Sequence, residues 1–550
     1  MKIYEFISKI LKGKNIFLIL IVLFGLLYLI PLFRNEIPET HDAQSLIVKT
    51  AAMQNSLSDF QIPPRWAGDL NYNFGAPILN FYYPLGGYFG NILYFFGFGL
   101  EFGYKLLLGL AFIFSGISFF YLGSFFFRKE AAFGAAVIYM LAPYHFLDLF
   151  VRGHLGELVA LSLAPLVLYF IVKYSKDKNI TYIILGSFAY ALLIISHNIL
   201  ALLFSVVFVL YTVFFNTNVK KLLKSMLIFI VGLGLSAYFW LPALYEGKYI
   251  NSKLFLSGFY REHFINFSNI IYSPWGFGPN INEPGGLSPQ IGIIVIVLCT
   301  VSLLNLKNKK ERKNIVFWVL VLSLSIFFTN QISDVLWSRI HLLEQFQFPW
   351  RFIAIASFAA TLLSAYALNK FSKNWMIYMI VAIALIVSFS YMRVKGYEKN
   401  PDSFYFNYPG TSAFHGESTT IWSEGDASTY PKQAIEIIAG QGTVESYDRK
   451  SNLHRYKIIA QSDVGIRENT NYYPGWKAYV DGKEVEIQFQ DGNHRGIITF
   501  QVPKGEHNVE IKFIETTVRL IADLISLTFL TFLIIISIFR KKFAKLISAL

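Results

Sequence analysis

Runs of about 18 or more mostly apolar, uncharged residues, separated by short polar or basic stretches, recur along most of the chain. In lipid a backbone must satisfy its hydrogen bonds within the segment, so runs of this length read as membrane-spanning helices. The pattern predicts twelve, near residues 16–33, 103–126, 131–149, 156–173, 180–196, 198–215, 222–243, 291–306, 314–330, 351–369, 375–391 and 518–539. Residues 76–99 are long enough for another, yet Pro77, Pro84 and five glycines make a poor straight helix.

Loop charge decides how residues 76–99 are read. With the N-terminus inside, one set of turns is basic throughout: Arg128-Lys129, 173–178, 220–224, 307–313, 370–373 and the tail 540–545. That is the positive-inside signature, and an extra crossing at 76–99 would reverse every later loop. The segment is therefore expected to be a broken or interfacial helix on the outer surface. The expected organisation is a transmembrane domain over 1–392, with a first outer loop and surface helices at 34–102 and a second large outer loop at 244–290. An extracytoplasmic β-rich domain at 393–517 follows, then a final span and basic tail at 518–550.

The period changes from helical to two in the third outer segment. Val485, Ile487 and Phe489, then Ile498, Phe500 and Val502, then Val509, Ile511 and Phe513 alternate with polar residues. Asp481-Gly482 is a hairpin signal, and Asp491-Gly492 and Lys504-Gly505 mark further turns. An antiparallel β-sandwich or jelly-roll-like module is expected there.

Composition agrees with a lipid solvent, since 54% of residues are hydrophobic and only 15% charged. The net charge of +13 sits as punctuation between apolar runs, not on one basic face, so membrane topology explains it and nucleic-acid binding does not. The only cysteine, Cys299, lies in an apolar run and reads as a small core residue, leaving neither a disulfide framework nor a cysteine metal site. The N-terminal basic and apolar stretch has no small-residue cleavage site and reads as a retained signal anchor. Walker, dinucleotide-glycine and HExxH motifs are absent, which argues against nucleotide-driven work.

Ionisable residues cluster in the outer loops. Asp42 follows the first predicted span and precedes an amphipathic stretch, where it reads either as a reactive carboxylate or as a helix N-cap. Arg152, His154 and Glu157 fall in RGHLGE, a very short turn between two apolar helices, where ionisable groups are costly and tend to be functional. An Arg152–Glu157 structural ion pair is the alternative. His197 in SHN and His145 in APYH read as polar-cavity or bundle histidines. Arg351 in FPWRF suits a phosphate, with Trp350 beside it as an interfacial anchor. Aromatics in 244–290 suit sugar stacking or the interface.

The first outer loop, with an acidic residue early in it followed by an amphipathic stretch and a Pro-rich aromatic segment, resembles that of the C-type (GT-C) membrane glycosyltransferases. The wider pattern is similar to YfhO-like bacterial membrane proteins and those carrying a 6-pyruvoyl-tetrahydropterin-synthase-related domain, a label that need not mean pterin chemistry. The matching pieces are HDA (41–43), PPRW (63–66), FYYPL (81–85), RGHLGE (152–157), SHN (196–198), FPWRF (348–352) and YYPGWKAYVDGKEV (472–485). The resemblance implies a cytoplasmic-membrane enzyme with both termini inside, moving a sugar from a polyprenyl-phosphate donor to an extracytoplasmic glycan, lipid or protein acceptor. It puts catalysis on Asp42, with His41, Arg65, Arg152, His154, Glu157, His197 and Arg351 as substrate- or phosphate-binding candidates. The chain departs from the pattern at His41, where many such enzymes carry a second acid, which leaves a two-carboxylate divalent-metal site open. A lipid or glycan transporter, or a noncatalytic envelope-assembly protein, would retain the same buried polar residues without a reaction centre.

Overall fold

A computed structural model describes residues 15–251, 257–413 and 416–542. The basic N-terminal stretch of the expected anchor and the end of the basic tail lie outside the described residues.

The apolar runs are helices. In chain order they are α1 (Asn15–Tyr28), α2 (Ala43–Ser58), α3 (Ile78–Phe81), α4 (Leu85–Phe95), α5 (Leu100–Phe126), α6 (Lys129–Met140) and α7 (Pro143–Phe146). There follow α8 (Leu155–Asp177), α9 (Ile180–Ser196), α10 (Asn198–Phe215), α11 (Val219–Leu235) and α12 (Ala237–Glu246). The last five are α13 (Ile293–Ser302), α14 (Lys309–Thr329), α15 (Phe352–Lys370), α16 (Asn374–Ser388) and α17 (Thr517–Ile538). Among the described residues, seven helices are long and apolar enough to cross a membrane, or nine if each of two bent pairs forms one span. The helices at Asn15–Tyr28, Ile180–Ser196 and Ile293–Lys307 are apolar but shorter than the roughly 20 residues a perpendicular span needs. All twelve predicted runs are thus helical in their described residues, and among those residues length and composition support up to nine crossings.

Residues 76–99 do not form a continuous helix. α3 ends at Phe81, and Pro84 precedes α4, because proline cannot donate to the preceding turn. The bundle's centre is α15, which is buried along nearly its whole length and rich in Ala and Ser, so α14, α13 and α6 pack closely on it. α5 and α8 form another extensive pair.

The β domain begins later than its expected boundary at 393. The described residues between 393 and 434 carry only a short helix, Asp402–Phe406, and a two-residue strand β2 (Tyr397–Glu398) that pairs antiparallel with β1 (Ile37–Pro38) of the first outer loop. The eight strands that follow are β3 (Ile435–Ala439), β4 (Gly442–Arg449), β5 (Leu453–Ala460), β6 (Val464–Asn471), β7 (Trp476–Val480), β8 (Lys483–Val485), β9 (Ile497–Val502) and β10 (Gly505–Phe513). A five-stranded sheet, β4-β5-β10-β7-β8, faces a three-stranded sheet, β3-β6-β9. Their inward residues, among them Ile458, Val509 and Ile511 against Ile466, Ile498 and Phe500, share one core, which makes the module an antiparallel sandwich. Asp481 and Gly482 link β7 to β8 with φ of 48° and 78°, the double left-handed geometry of a tight hairpin. Ile487 and Phe489 lie beyond β8, where only Gln488 bridges to Thr499.

The sandwich is not independent of the membrane domain. Trp66, from PPRW in the first outer loop, is buried in its core against Trp476 and Phe513, with ring centroids 5.6 Å away in both cases. A second clasp is the buried Glu246 carboxylate. It takes hydrogen bonds from Asn80 (2.8 Å), Tyr473 (3.1 Å) and Thr516 (2.9 Å) and pairs with the fully buried Arg519 of α17 at 3.0 Å. First loop, second loop, sandwich and last helix therefore meet at one carboxylate. Trp66→Ala should cost about 3–5 kcal/mol, the usual range for truncating a buried Trp. The checks are a lowered thermal unfolding temperature of the purified full chain and faster proteolysis around residues 59–75.

Candidate functional site

The candidate residues converge where the first outer loop meets the α7–α8 turn. After α7 the chain makes one π-helical turn, Leu147–Val151, so the Arg152 N–H reaches back to the Leu147 carbonyl at 2.8 Å. This wider turn sets Asp148 and Arg152 side by side, at 2.9 Å. Gly153 follows with φ of +64°, packed so closely on Thr40 and Tyr104 that a side chain would not fit. Gly156 is equally tight against Tyr83 and the Ser196 carbonyl. The glycines of RGHLGE thus let the loop close on its neighbours.

Asp42 is aligned with Arg152 by backbone pairing. The His41 N–H donates to the Val151 carbonyl at 3.0 Å and the Asp42 N–H to the Arg152 carbonyl at 2.8 Å. Asp42 occupies the N-cap position of α2, as the capping alternative expected, but its carboxylate makes no cap bond. Thr40 Oγ1 accepts from the Ala43 N–H instead, at 3.3 Å. The Asp42 carboxylate is left partly exposed, 3.5 Å from the Arg152 guanidinium.

Behind that pair lies a buried ion network. Glu157 is fully buried, and its Oε1 meets Arg152 at 2.9 Å and Arg351 at 3.0 Å, while Oε2 accepts from Tyr144 at 2.7 Å. Arg351 also donates to Gln347 at 2.7 Å and to the Phe346 carbonyl at 2.9 Å. Trp350 is buried and lies 4.6 Å beneath the Arg152 guanidinium, so it is a cation–π support and not an interfacial anchor. Asp148, fully buried within an apolar run, had no assigned role in the sequence; its signal is its position four residues before Arg152.

Both histidines cap helices. His154 Nδ1 accepts from the Glu157 N–H at 3.2 Å, and His197 Nδ1 from the Leu200 N–H at 3.1 Å. Tyr83 packs against both rings, and its hydroxyl is 2.9 Å from His154 Nε2. Burial, followed by the nearby Arg152, holds His154 well below the ordinary imidazole value. Burial also lowers His197, to about 3.

The ligand atoms of His154, Glu157 and His197 lie within 4.8 Å of one another, close enough to hold a metal ion. Their donor chemistry fits one poorly. A neutral imidazole whose Nδ1 accepts a backbone N–H carries its proton on Nε2, so neither Nε2 offers a lone pair. Two guanidiniums already neutralise Glu157 and would repel a cation.

The cluster therefore unites Asp42, Arg152, His154, Glu157, His197 and Arg351 through direct contacts. His41 lies next to Asp42 but turns its ring outward to the Phe277 carbonyl at 2.7 Å. Arg65 is elsewhere, tying α17 in place through Asp523 (2.8 Å), Glu515 (3.6 Å) and the Tyr238 carbonyl (2.8 Å). His145 is buried against Tyr139, outside the network, with both ring nitrogens unpartnered among the described residues. Lys49, which the sequence reading passed over, lies two helical turns beyond Asp42 on the same face of α2. Its ammonium bonds Ser45 at 2.6 Å and sits 4.7 Å from the Tyr82 ring centroid. Burial lowers it to about 8, against the upward pull of Glu417 and Asp42.

Glu157→Gln would leave two buried guanidiniums without their shared counter-charge, and should cost about 3–5 kcal/mol. Asp42→Asn, at a partly exposed pair, should cost less than about 1 kcal/mol. Thermal unfolding of the two purified variants checks the contrast. For pH, an unfolded His197 takes a proton near its ordinary 6.5, whereas the folded ring resists until about 3. Stability should therefore be full above about 6.5 and fall as pH drops toward 3. His197→Asn, which keeps a capping acceptor, should flatten the decline in unfolding temperature between about pH 7 and 4.

Residues 79–395 match the family described as "6-pyruvoyl-tetrahydropterin synthase related domain; membrane protein". A Lactococcus lactis subsp. cremoris protein, described only as uncharacterized, is 23% identical over 317 residues, covering 55% of this chain and 51% of its own. Two similar solved structures are arabinofuranosyltransferase AftD from Mycobacteria and the apo oligosaccharyltransferase of Archaeoglobus fulgidus. The first has a TM-score of 0.46 at 16% identity, covering 69% of this chain and 27% of that one. The second has a TM-score of 0.48 at 13% identity, covering 76% and 62%. The chain thus spans about half the length of its curated relative. The match over residues 79–395 takes in RGHLGE, SHN and FPWRF, so this chain belongs to the 6-pyruvoyl-tetrahydropterin-synthase-related family of membrane proteins.

Proposed function

We propose that the protein is a cytoplasmic-membrane glycosyltransferase that moves a sugar from a polyprenyl-phosphate donor to an acceptor outside the cytoplasm, with Asp42 as general base. The observation that carries this reading is the freedom of the Asp42 carboxylate. It holds the N-cap position yet makes no cap bond, and it stays partly exposed beside a buried arginine.

The chemistry asks for such a group. As an acceptor hydroxyl oxygen bonds to the sugar's anomeric carbon, the bond from that carbon to the donor phosphate breaks. The hydroxyl proton passes to Asp42, and polyprenyl phosphate departs as an anion. A positioned carboxylate can take the proton. Arg152, fixed by Glu157, Asp148 and the Trp350 ring, and Lys49 on the same helix face as Asp42, supply positive charge for the leaving phosphate. Arg351 acts through Glu157, as a support to Arg152. Asp42 and the sandwich belong on the extracytoplasmic side in this reading, and the basic turns on the other, following the charge pattern of the loops.

The test is transfer from radiolabelled polyprenyl-phosphate sugars by the purified protein in lipid. Asp42→Asn should lower kcat by about 10²–10⁴-fold, the usual contribution of a general base, with its unfolding temperature nearly unchanged. Equal transfer by wild type and variant would remove Asp42 from the mechanism. Donor flipping without transfer would make the protein a transporter.

A further inference from the structure

A polar cavity lies away from Asp42, at the other end of α2. It is a cleft of about 260 Å³ between the α2 C-terminus with its following loop and the β4–β5 edge of the sandwich. At about 30 Å³ per water it has room for eight or nine waters, comparable to a single sugar ring. The 16 residues of α2, rising about 1.5 Å each, set it roughly 25 Å from Asp42.

Its walls are chemically mixed. Asp59 and Asp69 line one side and Arg449 and Lys450 the other, so both signs of charge face the cleft. Asn55 and Thr470 add an amide and a hydroxyl. Among the described residues neither carboxylate forms an ion pair: Asp59 accepts from the Ser451 N–H at 2.6 Å, and Asp69 from the Asn55 amide. Arg449 is anchored by the Asn73 carbonyl and the Thr470 hydroxyl, both at 2.9 Å, and pairs with the buried Glu468 at 3.6 Å. Carboxylates and cations on facing walls favour neither a lone cation nor a phosphate. A ligand carrying adjacent hydroxyls, each able to donate to a carboxylate and accept from a guanidinium or amide, uses both walls at once.

The cleft is also built from strained backbone. Phe60, directly after Asp59, has φ of +63° and is 82% exposed. Asn71, Tyr72 and Asn73 have φ of 56°, 54° and 67°, an unbroken left-handed turn without glycine. Such conformations are costly and persist where surrounding structure imposes them, often at ligand clamps. Here the Asn71 N–H donates to the Gly410 carbonyl at 3.0 Å, and its side chain accepts from the Ala427 N–H at 2.7 Å. Phe60, exposed and next in sequence to the lining residue Asp59, offers an apolar face of the kind on which a sugar ring stacks.

We infer that this cleft binds one neutral sugar unit of a glycan acceptor, holding the acceptor chain about 25 Å from the reacting end. The role as acceptor subsite rests on the proposed transfer reaction; the binding does not. The experiment is saccharide titration of the full chain in lipid nanodiscs, followed by calorimetry and saturation-transfer NMR. The probes are glucose, galactose, N-acetylglucosamine and their β-linked disaccharides, with calcium as a separate arm.

At least one saccharide should bind wild type and Asp42→Asn alike. Affinity should fall about tenfold or more in Asp69→Asn, which loses a charged acceptor, and in Ser58→Trp, which fills the cleft from an exposed position without removing a buried contact. Binding by none of the saccharides, binding indifferent to both variants, or binding of calcium alone would overturn the inference. Saccharide binding without any sugar transfer would defeat only the proposed function. Transfer without saccharide binding would defeat only the cleft.

Discussion

A carboxylate buried out of water is stable only if opposite charge and hydrogen bonds replace its hydration, and Glu157 sets the terms for everything around it. Two guanidiniums, a tyrosine hydroxyl and a nearby imidazole surround it, drawn from the α7–α8 turn, the α9–α10 turn and the start of α15. Removing Glu157 itself would leave Arg351 without a carboxylate partner among the described residues, charge stranded in a low-dielectric interior. The helices that carry these groups are therefore held in register at one end of the bundle. Arg152, gripped through Nη1 by Glu157 and Asp148 and supported from below by Trp350, turns Nη2 to face Asp42.

The same solution recurs at Glu246, where Arg519, Asn80, Tyr473 and Thr516 close around a second buried carboxylate. One network fixes the candidate reaction centre; the other fixes the sandwich to the membrane domain. α2 connects the two regions. Its first residue follows Asp42, and the chain leaving its last runs through Asp59 to Trp66 in the sandwich core. In the proposed reaction this helix would set the distance between Asp42 and the polar cleft that holds the acceptor.

Helix positions were legible because the hydrophobic period is local, and the break near Pro84 was legible because proline cannot continue a helix. Period-two alternation located β9 and β10, whereas residues 485–489 carry the same alternation but only a short strand. The cluster of Asp42, Arg152, His154, Glu157, His197 and Arg351 was visible as charged residues at helix ends, a pattern lipid makes expensive. Their division of labour was not. Whether Asp42 caps its helix depends on Thr40 capping it first, and whether Trp350 anchors at an interface depends on where Arg152 lies. Arg65 was misplaced because its partners, Glu515 and Asp523, come from the far end of the chain. Lys49 escaped notice because one lysine in an amphipathic helix looks like a solvated face, and Asp148 because its pairing needs a π-helical turn.

The most direct measurement is an electron cryomicroscopy map of the protein bound to a polyprenyl-phosphate sugar. The account predicts the donor phosphate within direct contact of Arg152 and Lys49, with the anomeric carbon facing the Asp42 carboxylate. Phosphate bound away from the start of α2, for example at Arg65, with Asp42 facing only solvent, would contradict it.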